Sequence, residues 1–125
     1  MRNMSKKTWK LRVWNRMTEI QKLDYLLAKA GITHEIERRF PENDKYRPEV
    51  YGPGASHDGG YQITVRNESG KYLWDAVCGW CTYGFPDLLE VCGDVLIGHD
   101  DVEGWLTARQ IMKMWRCRKY AAKNR

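Results

Sequence analysis

Tyr61-Gln62-Ile63-Thr64-Val65-Arg66-Asn67-Glu68-Ser69-Gly70-Lys71-Tyr72-Leu73-Trp74-Asp75-Ala76-Val77-Cys78 is the stretch on which the fold turns. Tyr61, Ile63 and Val65 alternate with Gln62, Thr64 and Arg66; Tyr72, Trp74, Ala76 and Cys78 alternate with Leu73, Asp75 and Val77. Successive strand residues point to opposite faces, so a period of two in both arms predicts two strands, each with an apolar side to cover. Asn67-Glu68-Ser69-Gly70 between them supplies a turn with a glycine available for positive φ, and the pair reads as an antiparallel hairpin.

What covers that hairpin is read outward from it. Upstream, Thr18 with Gln21 three residues on forms a capping box, and Ile20, Leu23, Leu26, Leu27 and Ala30 form one apolar helical face before Gly31, predicting a helix at about 19–30. Ile32, His34, Ile36 and Phe40 share one parity and predict a strand that Pro41 ends. Residues 41–60, with three prolines and four glycines, read as a long loop. Downstream, Pro86 and Gly93 bracket Leu88, Leu89, Val91 and Cys92, which predicts a short helix at about 87–92. A second capping box, Thr107 with Gln110, opens a last helix whose apolar side is Ala108, Ile111, Met112, Met114 and Trp115. In residues 1–16, Trp9, Leu11 and Val13 alternate with Lys10 and Arg12, which favours a strand over the helical stripe Trp9, Val13, Met17. The expectation is an α+β fold: a small antiparallel sheet of three to four strands with helices packed on one face. It comprises one domain, 17–125, with a basic C-terminal helix and tail, behind a basic N-terminal extension, 1–16; Met17 could serve as an internal start.

The 125 residues suit a single domain, and 42% hydrophobic with 12% aromatic content argues against a disordered chain. No apolar run approaches the roughly 18 residues of a membrane span, and the start lacks a signal peptide's apolar core. Four cysteines are too few for a disulfide scaffold and point to thiols in a cytoplasm. The net charge of +5 conceals a division: residues 1–16 carry +6, residues 17–108 carry −8 and residues 109–125 carry +7. Two basic ends flank an acidic body.

Cys78-Gly79-Trp80-Cys81 has the spacing of a redox pair, but Thr82-Tyr83-Gly84 follows where the pKa-lowering helix should begin. Cys78, Cys81, Cys92 and His99 are the residues from which a zinc site could be drawn; no second close pair completes it, and the preferred reading has no metal, with Cys78 and Cys92 as small buried residues. His99-Asp100-Asp101-Val102-Glu103 could hold Mg²⁺ for phosphodiester chemistry, against the simpler reading of an exposed turn before the last helix. His57-Asp58 has no nucleophile motif beside it, and the glycines of 52–60 lack the Gly-Lys-Ser/Thr ending of a phosphate loop. No cofactor motif is present. The stronger pattern is cations interleaved with aromatic rings: Lys6, Lys7, Trp9, Lys10, Arg12, Trp14 and Arg16 at one end, and Lys113, Arg116, Arg118, Lys119 and Lys123 at the other. Cations attract phosphate and exposed rings stack on bases, so these are the expected partner- or nucleic-acid-binding residues.

The α-β-β-β-α order with Gly52-Pro53 and His57 between the first two strands resembles a double-stranded-RNA-binding domain. That family's last helix opens with a lysine-rich run, whereas Pro86-Asp87-Leu88-Leu89-Glu90 stands here and is acidic. Tyr72-Leu73-Trp74-Asp75-Ala76-Val77, Leu88-Leu89-Glu90-Val91 and Glu103-Gly104-Trp105-Leu106-Thr107-Ala108, within 61–112, resemble small accessory proteins of bacteriophages and prophages. That resemblance implies a non-enzymatic binding protein in the cytoplasm of a bacterial host. It would recognise a host protein or nucleoprotein, as an anti-CRISPR-like inhibitor of a nucleic-acid-targeting defence enzyme does. The alternatives are a protein that binds DNA or RNA directly through its two basic ends, and a metal-dependent nuclease around His99 and Asp100.

Overall fold

The computed structural model describes residues 6–39, 60–79, 82–84, 87–96 and 101–123. In chain order these form α1 (Lys6–Arg16), α2 (Glu19–Lys29), β1 (His34–Arg38), β2 (Tyr61–Arg66), β3 (Tyr72–Val77), β4 (Leu89–Gly93), β5 (Glu103–Leu106) and α3 (Ala108–Lys123). The strands make one antiparallel sheet in the order β1-β2-β3-β4-β5, each beside its sequence neighbour. This is the expected α+β fold, with five strands where three to four were expected.

The hairpin behaves as its period demands. Ile63 pairs with Ala76 and Val65 with Trp74, and all four are buried. They lie under Ile20, Leu23 and Leu27 of α2 and under Ala108, Ile111, Met112 and Trp115 of α3, so the helices cover this one face. Trp74 is fully buried with its ring centroid 5.7 Å from that of Trp115, in a tilted arrangement. A buried aromatic of this size is among the largest single contributors to a small core. Both capping boxes form: Gln21 N donates to Thr18 Oγ1 and Thr18 N to Gln21 Oε1, and Thr107 and Gln110 repeat the exchange. His34 ties α2 to β1, its Nε2 2.6 Å from Asp24 Oδ1 and its Nδ1 2.8 Å from the Ile32 carbonyl.

Three expectations are corrected. Residues 6–16 are helical, not a strand. The strand reading put Leu11 and Val13 on a buried face, yet both are exposed, and the residue that anchors the segment is Trp14. Residues 89–93 are strand β4 and not a helix. Leu89 and Val91 alternate with Glu90 and Cys92, and β4 pairs along β3 from Trp74–Gly93 to Val77–Glu90. That alternation sends Leu89 and Val91 under the helices and leaves Cys92 exposed on the other side, so the expected burial holds for Cys78 and fails for Cys92. Between the expected turn at 99–103, of which Asp101 and Val102 are described and exposed, and α3 lies a strand the sequence does not announce, β5, paired with β4 through Leu89–Leu106 and Val91–Glu103. Two strands therefore intervene where the double-stranded-RNA-binding order runs directly from its third strand into a helix. The loop expected at 41–60 lies outside the described residues except for Gly60.

Candidate macromolecular interface

One side of the fold is helical and cationic. Trp14 of α1 packs edge-on against Tyr25 of α2, with centroids 6.2 Å apart and an interplanar angle of 67°. Over its ring sit Arg109, 4.9 Å from the centroid, and Lys22, 5.2 Å away. A cation within about 6 Å of an indole face is attracted by the ring quadrupole. The two basic ends of the sequence thus meet at one point, Arg109 on Trp14. Lys113, Arg116 and Arg118 follow along α3, Lys113 and Arg116 exposed and Arg118 half-buried. Lys6, Lys7 and Trp9 fall in the first turns of α1, and Lys119 and Lys123 in the last turns of α3. Beside Trp14 opens a groove of about 670 Å³, lined by Leu11, Val13 and Met17 with Tyr25, and rimmed by Lys10, Lys29 and Arg109. Of the expected interface residues, Lys10 and Trp14 line it; Arg109, Tyr25 and the aliphatic side chains were not singled out. Arg109 looked like one more cation of the tail, and only the capping of α3 at Thr107 locates it at the helix start.

The acids on this side are committed. Glu19 is buried at the head of α2; its Oε1 accepts from the Ala108 backbone N–H at 2.9 Å and its Oε2 meets Lys22 Nζ at 3.0 Å. The first N–H groups of a helix have no intrahelical acceptor, so a carboxylate from α2 completes the start of α3, where the helix dipole also favours negative charge. The Glu19 N–H in turn donates to Asp87 Oδ1 at 3.1 Å, just before β4.

The opposite side is the sheet face turned away from α2 and α3, and among the described residues its carboxylates are Glu35, Glu37, Asp75 and Glu90. The strand register aligns Glu35, Thr64, Asp75 and Cys92 in one cross-strand row and Glu37, Gln62, Val77 and Glu90 in the next. Arg66 Nε pairs with Glu35 at 3.2 Å. Gln62 Nε2 donates to Asp75 Oδ2 at 2.8 Å, and Tyr72 donates its hydroxyl hydrogen to the other Asp75 oxygen. Burial first, and this carboxylate second, push the Tyr72 hydroxyl above the ordinary tyrosine range. β3, β4 and β5 carry one carboxylate each, Asp75, Glu90 and Glu103, and not one Lys or Arg.

At the far edge of that half two aromatic rings stand in solvent: Trp105 on β5 is 63% exposed and Tyr83 is 64% exposed. Trp105 is the one non-glycine among the described residues with positive φ, at +61°. Left-handed backbone costs a residue with a Cβ roughly 1–2 kcal/mol. The strain is fixed from both sides: Trp105 N donates to the Tyr83 carbonyl at 3.0 Å, and a Cβ on neighbouring Gly104 would stand 2.3 Å from Tyr83 Cβ. A bulky residue held in strain while its ring makes little use of the core is a feature of binding surfaces.

Most residues of the catalytic alternatives fall outside the described part of the chain. Among the described residues no three His, Cys, Asp or Glu side chains gather in a way that could hold a metal. Of the zinc set, Cys78 is buried and Cys92 exposed, while Cys81 and His99 lie outside the described residues, as do His57, Asp58 and Asp100. Among the described residues no helix is long and apolar enough to cross a membrane. Comparison with protein-family models, curated proteins and solved structures returns no match.

Proposed function

We propose that this chain is a non-enzymatic binding protein of the bacteriophage accessory type, acting in the bacterial cytoplasm on a host protein that itself handles nucleic acid, in the manner of an anti-CRISPR inhibitor. The observation that carries the reading is the acidic half-sheet with Tyr83 and Trp105 exposed at its edge. A protein that grips nucleic acid lines its groove with Arg and Lys. Strands β3–β5 contain no Lys or Arg, so their carboxylates stand where that groove expects phosphates, beside two rings on which its guanidinium groups can lie. Such surfaces speed encounter and select against partners of the wrong sign.

The test is capture from bacterial lysate, after nuclease treatment, on the immobilised chain at low and high salt. A basic nucleic-acid-binding protein should be retained by the native chain and lost with Trp105→Ala or Asp101→Lys. Retention indifferent to both substitutions would refute the reading. The basic helices support a second reading, direct DNA or RNA binding, because Arg109 brings α3 against α1 at Trp14. It requires that a chain carrying Lys10→Glu, Arg12→Glu and Arg16→Glu lose a salt-sensitive affinity for an oligonucleotide.

A further inference from the structure

The groove beside Trp14 lies on the helical side of the fold and has the opposite charge, so it is independent of the acidic half-sheet. Its lining is apolar, and much of it is open to solvent: Leu11 is 58% exposed, Val13 44% and Tyr25 47%. Exposed apolar side chains scattered singly are ordinary, but these converge on one concavity between two helices. We propose that this groove is a docking site for an amphipathic helix of a partner protein, one whose apolar face is flanked by Asp and Glu.

Three observations select this occupant. A channel between α1 and α2 floored by aliphatic and aromatic side chains matches the apolar stripe of a third helix, which seats residues at i, i+3, i+4 and i+7. The rim has a single sign: Lys10, Lys29 and Arg109 have no carboxylate partner among the described residues, while the nearby acids Glu19 and Asp24 are held by Lys22, Ala108 and His34. An incoming helix therefore finds three cations in want of counter-charges at the border of an apolar floor. A nucleic acid strand would use the cations but needs flat rings for its bases. Here Trp14 already carries Arg109 and Lys22 over its ring and meets Tyr25 edge-on.

The test is fluorescence anisotropy with the full chain and a labelled peptide of about 16 residues, Leu and Phe at helical spacing and Glu elsewhere. Its companions are a peptide of the same composition with the spacing broken, one with Lys in place of Glu, and a single-stranded oligonucleotide of similar length. The acidic amphipathic peptide should bind at least about tenfold more tightly than each of the three. Val13→Glu and, separately, Lys10→Glu with Lys29→Glu should each lower that affinity about tenfold or more. Both sites are exposed, and an unchanged thermal melt separates lost binding from lost folding. Trp105→Ala should leave peptide binding intact, so failure of the acidic-surface reading and failure of this one are told apart. Equal binding of the broken-spacing or Lys peptide, tighter binding of the oligonucleotide, or indifference to Val13→Glu would overturn the proposal. So would self-association of the free chain in sedimentation that Val13→Glu abolishes, because a second copy would then be the occupant.

Discussion

Replacing Glu19 by alanine should destabilise the fold more than any other single change on the helical surface. The carboxylate joins three elements: it accepts from Ala108 N at 2.9 Å, pairs with Lys22 at 3.0 Å, and belongs to the residue whose own N–H donates to Asp87. A hydrogen bond to a charged group contributes about 1.5–3 kcal/mol, and removing its acceptor leaves the buried Ala108 N–H without one. The charge at the start of α3 adds about 0.3–1 kcal/mol through the helix dipole. The partly buried contact with Lys22 adds at most about 1 kcal/mol. These overlap, so Glu19→Ala is expected to cost about 3 kcal/mol, or on the order of 10 °C in melting temperature for a chain of this size. Glu19→Gln keeps a carbonyl oxygen for Ala108 and loses only the charge, about 1 kcal/mol. Urea denaturation followed by tryptophan fluorescence reads both. A loss below about 0.5 kcal/mol for alanine, or equal losses for alanine and glutamine, would refute the claim that this carboxylate caps α3.

Trp74→Ala empties the centre of the core beside Trp115 and should cost about 3–5 kcal/mol in the same assay, with a chain that still folds well counting against the described packing. Trp105→Gly removes the positive-φ strain together with an exposed ring, so stability should hold or rise by up to about 1 kcal/mol while partner capture fails. Tyr72→Phe should cost up to about 1 kcal/mol at neutral pH, from the lost bond to Asp75. Because the folded Tyr72 resists ionisation, its stabilising share is intact below the ordinary tyrosine pKa, about 10, and is lost as pH rises above it. The phenylalanine variant should therefore show a shallower alkaline loss, measured by urea denaturation at about pH 8 and pH 10.5.

How far the sequence could be read depended on how much of each signal was local. Both capping boxes involve residues three apart, and both were visible before any packing was known. The hairpin was visible for the same reason: its arms repeat every second residue and a turn joins them. Leu88, Leu89, Val91 and Cys92 admit a helix or a strand, since a short apolar run has no period of its own, and only the partner β3 decides. β5 spans four residues, Glu103–Leu106, with an exposed tryptophan among them, so no alternation announces it. The charge division was legible, but its spatial meaning was not. The capping box at Thr107 sets Arg109 at the start of α3, but that it lies over Trp14 follows only once α1 is known to be a helix. Trp105 likewise carries no local mark of its strained backbone, which arises from the contact with Tyr83, over twenty residues away.

The neck between β1 and β2 has a consequence for how such a chain can diversify. Arg39 N donates to the Gly60 carbonyl at 2.8 Å, and a Cβ on Gly60, at φ +85°, would stand 1.9 Å from the Cys78 carbonyl oxygen. The ladder is therefore sealed just where residues 40–59 leave and return, and Gly60 admits no side chain. Closing a longer connection costs only about 0.6 kcal/mol for each doubling of its length. Lengthening the connection between Arg39 and Gly60 should therefore leave the Arg39–Gly60 closure and the β1–β2 register in place. The pinned neck thus separates the length of that connection from the register of the ladder beyond it, so that added chain there costs chiefly closure entropy.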